Sequence, residues 1–384
     1  MKYKKKILVI TSRYPLPVRG GDKLRIVEII KYLSKKNSVD LVSIGDYQKK
    51  VNFINKQFTF KNNLLNKSKQ VLNSFFKNEP LQIGLFKVHE MKNKIEEISK
   101  NYDVIIFHLI RTTYYVPKNY NGRKILEMTD LISKNYRTVE KNMSNLNPLK
   151  LLYKFEKKRL EKFEKENIKK FNCNVFVNKK DLKRNYVRYN KKKGLIKVIG
   201  NGTELKRNIY LDKEIKDNLI FFGNINSLAN RSACIDFIKN ILPKIKIKYP
   251  QLKFVILGNC SIFLKIFFNM LGVKVHSNIK TLSDYAENSI AGICNVKIQS
   301  GLQNKILDYT SLGIPVLANS TSNNFKFLTG EDLLIYKNEK DFIKKLDKLV
   351  TNKTFRKKIS LSCYFKTRKY YKWDSILKKY STII

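Results

Sequence analysis

Residues 218–258 have the sequence NLIFFGNINSLANRSACIDFIKNILPKIKIKYPQLKFVILG. Two apolar segments, 218–225 and 252–258, lie on either side of an amphipathic pattern at 231–249 that predicts a helix. Both apolar segments are continuous rather than alternating, which is typical of strands buried on both faces of a parallel sheet. The stretch therefore predicts a strand, a helix and a second strand of an α/β domain.

The same alternation of strands and helices continues along the rest of the chain. Upstream, the predicted strands are residues 6–10, 39–44, 102–109, 123–128 and 174–178, and the predicted helices are 20–37 and 151–171. Downstream, the predicted strands are residues 273–277, 291–296, 314–319 and 332–336. A polar segment rich in turn formers, 198–217, separates the two series. We therefore predict an α/β protein with two Rossmann-like doubly wound domains facing across a cleft, where ligands bind outside the carboxyl ends of the strands.

The composition restricts the class of partner. The 384 residues suit two domains, and 43% hydrophobic residues predict a globular chain. Lysine and arginine number 78 against 31 aspartate and glutamate, which leaves a net charge of +47. A surface this basic favours anionic partners such as phosphorylated substrates, anionic lipid or nucleic acid.

The ends, cysteines and histidines exclude several further classes. The amino-terminal apolar segment is only Ile7–Ile10, and no run of about 18 apolar residues occurs, so we expect a cytosolic protein. The five cysteines are scattered without metal-ligand or CxxC spacing, and we expect them to be reduced and mostly buried. The three histidines are equally dispersed, so we predict no metal site.

Three loops place glycines where a phosphate could be held. They are RYPLPVRGGDKLR (13–25), with Gly20 and Gly21 before a helix, GNINSLANR (223–231) after a strand, and the stretch 300–319. Glycine lets backbone N–H groups approach an anion closely, and a helix amino terminus adds partial positive charge. Such turns also contain glycine for purely structural reasons. None has the spacing of a dinucleotide-binding or P-loop motif, which argues against a dehydrogenase and a nucleoside triphosphatase.

The stretch SGLQNKILDYTSLGIPVLAN (300–319) predicts a helix that begins near Gly301. Its buried stripe consists of Leu302, Ile306 and Tyr309. Lys305 and Asp308 lie together on another face. A lysine there can pair with a diphosphate, and the acid can accept hydrogen bonds from two adjacent hydroxyls of a ribose. The alternative is an ordinary exposed salt bridge.

Residues 301–319 resemble the donor-binding motif of the GT-B glycosyltransferases, specifically the retaining family 4 type among the glycosyl transferases group 1. Other segments resemble the same family in the expected order, so that the resemblance covers nearly the whole chain. These segments are 13–36, 198–205, 221–258 and the aromatic stretch 366–380.

The resemblance implies a domain division and a reaction. The domains would be an acceptor-side domain at 1–200, a hinge at 201–217, a nucleotide-sugar-binding domain at 218–364, and a helix at 365–384 that returns to the first domain. The enzyme would be of the hexosyltransferase type. It would transfer a sugar from a nucleotide-diphosphate sugar to an acceptor with retention and without a metal or other cofactor.

The resemblance also assigns residues to the site. Lys305 matches the phosphate-binding lysine, and Asp130 lies close to a position where many members carry a histidine, near the acceptor or the reacting carbon. A helix N-cap is an equally good interpretation of Asp130. The implied donor-binding residues are Gly20, Gly21, Gly223, Asn224, Ser300, Gly301, Leu302, Gln303, Asn304 and Asp308.

The sequence departs from the family pattern at three places. Ser300 stands where the family has its first acidic residue, and Asp308 replaces the usual glutamate. The basic residue expected near Gly223 is absent, with Arg231 the nearest candidate. The loss of the first acid leaves a catalytically inactive homologue as an alternative.

The resemblance implies that the first domain holds the acceptor, and the lysine-rich amphipathic stretch 58–77 lies in that domain. We predict peripheral attachment to an anionic inner membrane leaflet, with a glycan or lipid-diphosphate-linked acceptor in bacterial capsule, O-antigen or exopolysaccharide biosynthesis. A solvated helix face is the alternative. The apolar stretch 261–272 is expected to pack on the second sheet.

Two other classes of protein remain as alternatives. The charge alone is compatible with a basic membrane-binding or nucleic-acid-binding protein. No helix-turn-helix, zinc-finger or RNP-like pattern is present, so we predict no nucleic-acid partner. A GT-B epimerase or a phosphorylase would need a histidine-rich or cofactor-lysine site, which the sequence does not offer.

Overall fold

The computed structural model describes residues 4–18, 20–46, 51–129, 131–179, 195–205, 217–277, 279, 281–297, 302–322 and 325–384. The chain divides into two compact units. The first contains Met1–Gly200 together with Leu377–Ile384, and the second contains Asn201–Ile376. Each unit has its own parallel sheet with helices.

The first unit is built on a sheet whose seven described strands follow the order β3-β2-β1-β4-β5-β6-β7, all parallel. The strands are β1 (Lys6–Thr11), β2 (Ser38–Ile44), β3 (Gln57–Phe60), β4 (Val104–His108), β5 (Arg123–Thr129), β6 (Cys173–Phe176) and β7 (Leu195–Val198). The strands β2 and β3 are added on one side of β1. The strands β4 to β7 are then added on the other side of β1. Loops after these strands therefore diverge at the switch point where ligands of open α/β sheets bind.

Helices of this unit contribute apolar side chains to its core, such as Ile29 and Ile30 of Gly21–Ser34 and Met91 of His89–Ile98, whereas Leu64–Phe76 buries only Gln70 and Ser74. The helices are Gly21–Ser34, Leu64–Phe76, Leu81–Gly84, His89–Ile98, Ile132–Asn142 and Leu149–Ile168, with 3₁₀ turns at Ser99–Asn101, Ile110–Tyr115 and Lys378–Thr382. Central strand residues such as Leu8, Ile105 and Leu126 are fully buried beneath them. The continuous apolar runs of β1, β4 and β5 reflect this burial on both faces.

The second unit repeats the plan with six described strands in the order β10-β9-β8-β11-β12-β13, again all parallel. The strands are β8 (Asn218–Phe222), β9 (Lys253–Leu257), β10 (Lys274–His276), β11 (Ser289–Cys294), β12 (Val316–Asn319) and β13 (Leu333–Tyr336). The helices are Leu228–Asn240, Leu242–Lys248, Ile262–Met270, Ser283–Ala286, Asn304–Thr310, Glu339–Thr351, Lys353–Tyr370 and Trp373–Leu377, with a 3₁₀ turn at Ser320–Ser322. The predicted α/β class and parallel sheets are confirmed.

Several predicted boundaries are wrong for identifiable reasons. The single helix expected at 231–249 is two helices, with Pro243 in the first turn of the second, because proline has no N–H to continue the first. The helix expected at 365–384 ends at Tyr370. The Tyr371 carbonyl instead accepts a hydrogen bond from the Thr203 N–H at 2.8 Å, so it is not used to extend that helix. The strands β3 and β7 were not predicted.

The apolar stretch 261–272 also differs from expectation. It forms the helix Ile262–Met270, of which only Phe268 is buried. Phe263 and Met270 are largely exposed. The prediction that this stretch packs on the second sheet is therefore wrong for most of its side chains.

A buried ion pair ties the carboxyl-terminal segment to the first unit. The Arg25 and Glu127 side chains are fully buried, and Arg25 Nε donates to Glu127 Oε1 at 2.8 Å. Arg25 Nη1 donates to the Gly200 carbonyl oxygen at 2.7 Å, and the Tyr380 hydroxyl donates to Glu127 Oε2. One arginine thus joins the helix Gly21–Ser34, strand β5 and the last residue of the first unit's main segment.

The cysteines and the hydropathy of the helices complete the description. All five cysteines are free, and four are buried while Cys260 is half-buried, as predicted. None of the helices in the described part of the chain is long and apolar enough to cross a bilayer.

Candidate active site

The loop after β8 forms a tight glycine turn. The Gly223 N–H donates to the Leu257 carbonyl oxygen at 2.9 Å. Gly258 has a φ of 122°, and a Cβ there would lie 2.3 Å from the Gly223 carbonyl oxygen, so no other residue fits. A Cβ on Gly223 would in turn lie 2.9 Å from Asn230 Nδ2. The two glycines therefore let the loop pack closely against the start of the following helix.

The same loop orients Asn230. The Asn224 carbonyl oxygen accepts hydrogen bonds from Ser227 Oγ at 2.9 Å and from Asn230 Nδ2 at 2.8 Å. Ser227 is also the N-cap of the helix Leu228–Asn240, since its side chain accepts from the Asn230 N–H. With its NH₂ group held by Asn224, Asn230 directs its Oδ1 toward the helix that carries Lys305.

Lys305 is the cation at this position. It is 7% exposed, and its Nζ donates to Asn230 Oδ1 at 2.9 Å. Nζ also lies 3.6 Å from the centroid of the Phe221 ring, a cation–π contact. Burial lowers the pKa of the Lys305 ammonium from 10.5 to about 8, so the group is still mostly protonated at pH 7. A buried ammonium held by one neutral acceptor among the described residues is well suited to receive an anion.

The helix Asn304–Thr310 is fixed beneath the glycine loop. Tyr309 is fully buried and its hydroxyl accepts from the Phe222 N–H at 2.6 Å. At the other end, Asn304 Oδ1 accepts from Asn201 Nδ2 at 2.6 Å. These contacts at both ends of the helix set the position of Lys305 relative to the end of β8.

Two predictions about this helix need correction. It begins at Asn304 rather than near Gly301, and Gln303 before it has an extended backbone. Lys305 is buried rather than exposed, so the interpretation of an ordinary exposed salt bridge with Asp308 is wrong. Ile306 and Tyr309 are fully buried as predicted, whereas Leu302 is only half-buried.

Asp308 lies one helical turn beyond Lys305 and is half-buried. Its charge acts on Lys305, where it partly offsets the lowering of the lysine pKa by burial. Its carbonyl oxygen accepts a hydrogen bond from Ser311 Oγ at 2.8 Å. The Asp308 carboxylate therefore acts on the buried ammonium electrostatically and favours its charged form.

The structure brings together part of the predicted site. Gly223, Asn224 and Lys305 converge in the second unit through the contacts of Asn230, which the sequence analysis did not identify. Asn304 precedes Lys305 on the same helix and is held by Asn201. Leu302 and Gln303 precede the same helix. Ser300, Gly301 and Asp130 lie outside the described residues.

Gly20 and Gly21 belong to the first unit. Gly20 has a φ of 107° and precedes the helix Gly21–Ser34 as its N-cap, and its carbonyl oxygen accepts from the Leu24 N–H at 3.1 Å. This positive φ favours glycine. The predicted loop-to-helix turn is therefore present.

The carboxyl edge of the first sheet carries a second group of polar side chains that the sequence analysis missed. Arg13 pairs with Asp22 at 2.9 Å. Burial lowers the pKa of His108 to about 3, with Arg25 and Arg111 adding to the effect and Asp22 opposing it, so the imidazole is neutral at pH 7. Burial and the charge of Arg13 lower the pKa of Arg111 to about 10. A histidine at the end of the apolar run VIIFH was the signal that could have located this edge.

The described residues contain no group of three or more His, Cys, Asp or Glu side chains placed to hold a metal ion. The candidate site in the second unit is thus made of an ammonium, amides and backbone. These groups can bind an oxyanion and hydroxyls.

We expect replacement of Lys305 by methionine to raise the free energy of unfolding of the ligand-free protein by about 1–3 kcal/mol at pH 7. Folding lowers the lysine pKa, so the unfolded chain binds more protons between pH 8 and 10.5. Wild-type stability therefore rises with pH in that window relative to the variant, and the difference shrinks. Urea unfolding of both proteins at pH 7, 9 and 10 measures this.

The control for this experiment is Lys344→Met, which changes an exposed lysine of the helix Glu339–Thr351 and should leave stability nearly unchanged. A Lys305→Met protein that is less stable than wild type at pH 7, or whose difference does not depend on pH, would contradict the described burial of the charge.

Part of the second unit matches the model of a known protein family. Residues 216–352 match the family model described as glycosyl transferases group 1, which is a little over a third of the chain. No curated protein matches the sequence significantly. The matched segment runs from just before β8 to the helix Glu339–Thr351, so it includes the glycine loop and Lys305.

Solved structures match the chain over nearly its full length. A sucrose-phosphate synthase from Thermosynechococcus elongatus has a TM-score of 0.69 at 12% identity, with 99% of this chain and 98% of that chain covered. Anabaena HepE in complex with UDP and glucose has a TM-score of 0.68 at 12% identity, with 98% of both chains covered. A mutant of S. aureus TarM in complex with Fondaparinux, alpha-GlcNAc-glycerol and UDP has a TM-score of 0.67 at 13% identity, with 99% of both covered.

At such identities the likeness establishes the fold. The chain has the two-domain α/β fold of the GT-B glycosyltransferases, and its residues 216–352 match the group 1 family of glycosyl transferases.

Proposed function

We propose that the protein is a retaining glycosyltransferase of the family 4 type that transfers a hexose from a nucleotide-diphosphate sugar. The single observation that carries this proposal is the buried ammonium of Lys305, held at the glycine loop by Asn230. Glycosyl transfer requires a positive group at the diphosphate that departs. The family match over 216–352 and the UDP in the complexes of two similar structures, HepE and the TarM mutant, support the same donor class.

Each part of the site then has a role in the reaction. The bond between the anomeric carbon and the diphosphate oxygen breaks, and the electron pair stays on the departing nucleotide diphosphate. Lys305 stabilises that charge beside the glycine loop, where Gly223 leaves space for the diphosphate, while Asp308 accepts hydrogen bonds from hydroxyls of the donor. The acceptor hydroxyl oxygen forms the new bond on the face that the diphosphate leaves, and its proton passes to the departing diphosphate oxygen, so the anomeric configuration is retained.

The remaining predicted residues enter the proposal by resemblance. Gly20 and Gly21 would contribute backbone contacts to the donor from the first unit, and Asp130 would lie near the acceptor or the reacting carbon. Ser300 and Gly301, with Leu302 to Asn304, would contact the donor beside Lys305. We propose that no metal or other cofactor takes part, because the lysine supplies the positive charge that a metal supplies in other transferases.

A donor screen tests this function. Thermal unfolding of the protein is followed with UDP-, GDP- and ADP-sugars, and hydrolysis of each donor is measured with and without EDTA. We expect one nucleotide-sugar class to raise the unfolding temperature and to be hydrolysed slowly, with no effect of EDTA. If no nucleotide diphosphate or nucleotide sugar stabilises or reacts, the proposed function is wrong.

We further propose that the protein is cytoplasmic and attaches peripherally to the inner membrane, where a lipid-diphosphate-linked glycan of a bacterial surface polysaccharide is the acceptor. The first unit exposes apolar side chains on two helices among its many lysines. They are Leu64, Leu65, Leu72, Phe75, Phe76, Leu149, Leu151, Leu152 and Phe155. The Arg159 guanidinium lies 5.3 Å from the centroid of the Phe75 ring, which places the two helices side by side. Exposed apolar and basic side chains on one surface suit an anionic bilayer.

Vesicle co-sedimentation measures this attachment. We expect binding that increases with the anionic lipid content and decreases with salt. Leu65→Ser with Phe76→Ser should lower the bound fraction severalfold, since these side chains are 83% and 75% exposed. Ile247→Ser is the matched control, because Ile247 is 87% exposed on the second unit. Binding that is indifferent to anionic lipid and salt would contradict the proposal.

A further inference from the structure

The first unit contains a cavity of about 670 Å³ at the carboxyl ends of β1, β2 and β3. Three loops form it, each of which directly follows one of these strands. They contribute residues from 12–17, 44–46 and 61–63, and Leu85 and Phe86 close one side. The cavity thus lies where an open parallel sheet binds its ligand, and all of its lining belongs to the first unit.

Charge in this cavity is predominantly positive. Arg13, Lys23, Lys61 and Lys67 line it, against Asp46 as the acidic residue. Lys61 Nζ lies 3.7 Å from Asp46 Oδ1, but both side chains are more than 80% exposed, so solvent weakens that pair. Arg13 is paired with Asp22, so four cationic side chains face two acidic ones, and the net charge at this concave surface is still positive.

A helix terminus adds to this potential. The helix Leu64–Phe76 begins at the cavity, with Asn62, Asn63 and Lys67 in the lining. Asn63 caps it by accepting from the Asn66 N–H at 2.8 Å. The amino end of a helix of this length carries partial positive charge, which acts in the same direction as the lysines.

Part of the lining is apolar. This part consists of Leu16, Leu85 and Phe86. The Phe86 ring also contacts the Arg111 guanidinium, which lies 4.8 Å from its centroid. Leu85 is 40% exposed. A cavity lined by both cationic and apolar side chains fits a molecule that joins an anionic group to an apolar or sugar-ring portion.

We propose that this cavity binds a phosphate group of the glycosyl acceptor, with Lys61 and Lys67 as direct phosphate ligands. The assignment to the acceptor rests on the proposed function, in which the donor diphosphate occupies the Lys305 site of the second unit. The phosphate belongs either to a lipid carrier or to a phosphate-bearing glycan. Lysine is a suitable ligand for both because it presents a compact charge that does not depend on a planar geometry.

Binding of two phosphate probes to the full-length protein tests the inference. Decyl phosphate, below its micelle concentration, stands for a lipid phosphate, and glycerol 1-phosphate stands for a glycan phosphate. Decyl glucoside is the neutral control. Titration calorimetry should detect binding of at least one phosphate, weakened by salt, and much weaker binding of the glucoside. Binding of decyl phosphate alone assigns the lipid source, and binding of both assigns recognition of the phosphate itself.

Variants locate the binding. We expect Lys61→Gln with Lys67→Gln to weaken phosphate binding by about tenfold or more. Lys61 is exposed and Lys67 is half-buried, and circular dichroism of the double variant should match that of wild type. Lys100→Gln with Lys36→Gln removes the same charge from exposed positions outside the cavity lining and should leave the affinity unchanged. Equal binding of decyl glucoside and decyl phosphate, or a double variant that binds phosphate as wild type does, would overturn the inference.

The same variants separate this inference from the proposed function. Lys305→Met should lose UDP binding and keep binding of the phosphate probe, whereas the Lys61 and Lys67 variant should show the reverse. If the wild-type protein binds the phosphate probe but not UDP, the proposed function is wrong and the phosphate site stands. If the wild-type protein binds UDP but neither phosphate probe, the phosphate site is wrong and the proposed function stands.

Discussion

Replacing Lys305 by methionine is expected to lower kcat/KM for the nucleotide-sugar donor by about 10²–10³-fold. The ammonium is positioned before the reaction by Asn230 Oδ1 at 2.9 Å and by the Phe221 ring, so little reorganisation is needed when the diphosphate departs. Methionine keeps the length of the side chain and removes the charge. Since we expect this variant to be more stable than wild type, unfolding cannot account for the lost turnover.

Steady-state kinetics with the donor identified in the screen measures the effect. Lys239→Ala, an exposed lysine at the end of the helix Leu228–Asn240, is the control and should retain wild-type kinetics. Lys305→Arg should recover little, because a planar guanidinium does not fit the space of a buried ammonium. Turnover within threefold of wild type in Lys305→Met would contradict the role of this residue.

Replacing Glu127 by alanine is expected to lower the free energy of unfolding of the first unit by about 3–5 kcal/mol. The substitution leaves the Arg25 guanidinium buried without its carboxylate, and it removes the acceptor of the Tyr380 hydroxyl. It should also loosen the carboxyl-terminal segment, which Tyr380 ties to strand β5. Urea unfolding followed by circular dichroism measures the first effect, and proteolysis of the last eight residues measures the second.

Two controls identify the cause. Arg25→Met with Glu127→Leu replaces the ion pair by apolar side chains of similar volume and should recover much of the lost stability. Tyr380→Phe removes one hydrogen bond and should cost only about 1–2 kcal/mol. A Glu127→Ala protein within 1 kcal/mol of wild type would show that the buried pair is not required.

The buried strands were the most predictable part of the fold. Segments such as residues 6–10 and 218–225 lie at the centres of the sheets, so both faces are covered and the sequence is continuously apolar. The strands β3 and β7 were missed because they are at the edge of the first sheet and only partly buried. Their sequences QFTF and LIKV carry mixed patterns that do not indicate burial.

The burial of Lys305 could not be predicted from the sequence. Lys305 was identified from a resemblance over local sequence, but its burial depends on Asn230, which is 75 positions away in the chain. A helical pattern places lysine on an exposed face by default. Lys305 is buried because its helix contacts the end of β8, which the local pattern does not indicate. Asp130, Ser300 and Gly301 remain predictions from the sequence.

A crystal structure of the protein with UDP measures the central claim most directly. We predict that the β-phosphate lies within about 3.2 Å of Lys305 Nζ and beside the glycine loop at Gly223. A UDP whose diphosphate is bound elsewhere, with Nζ still held by Asn230 alone, would contradict the account.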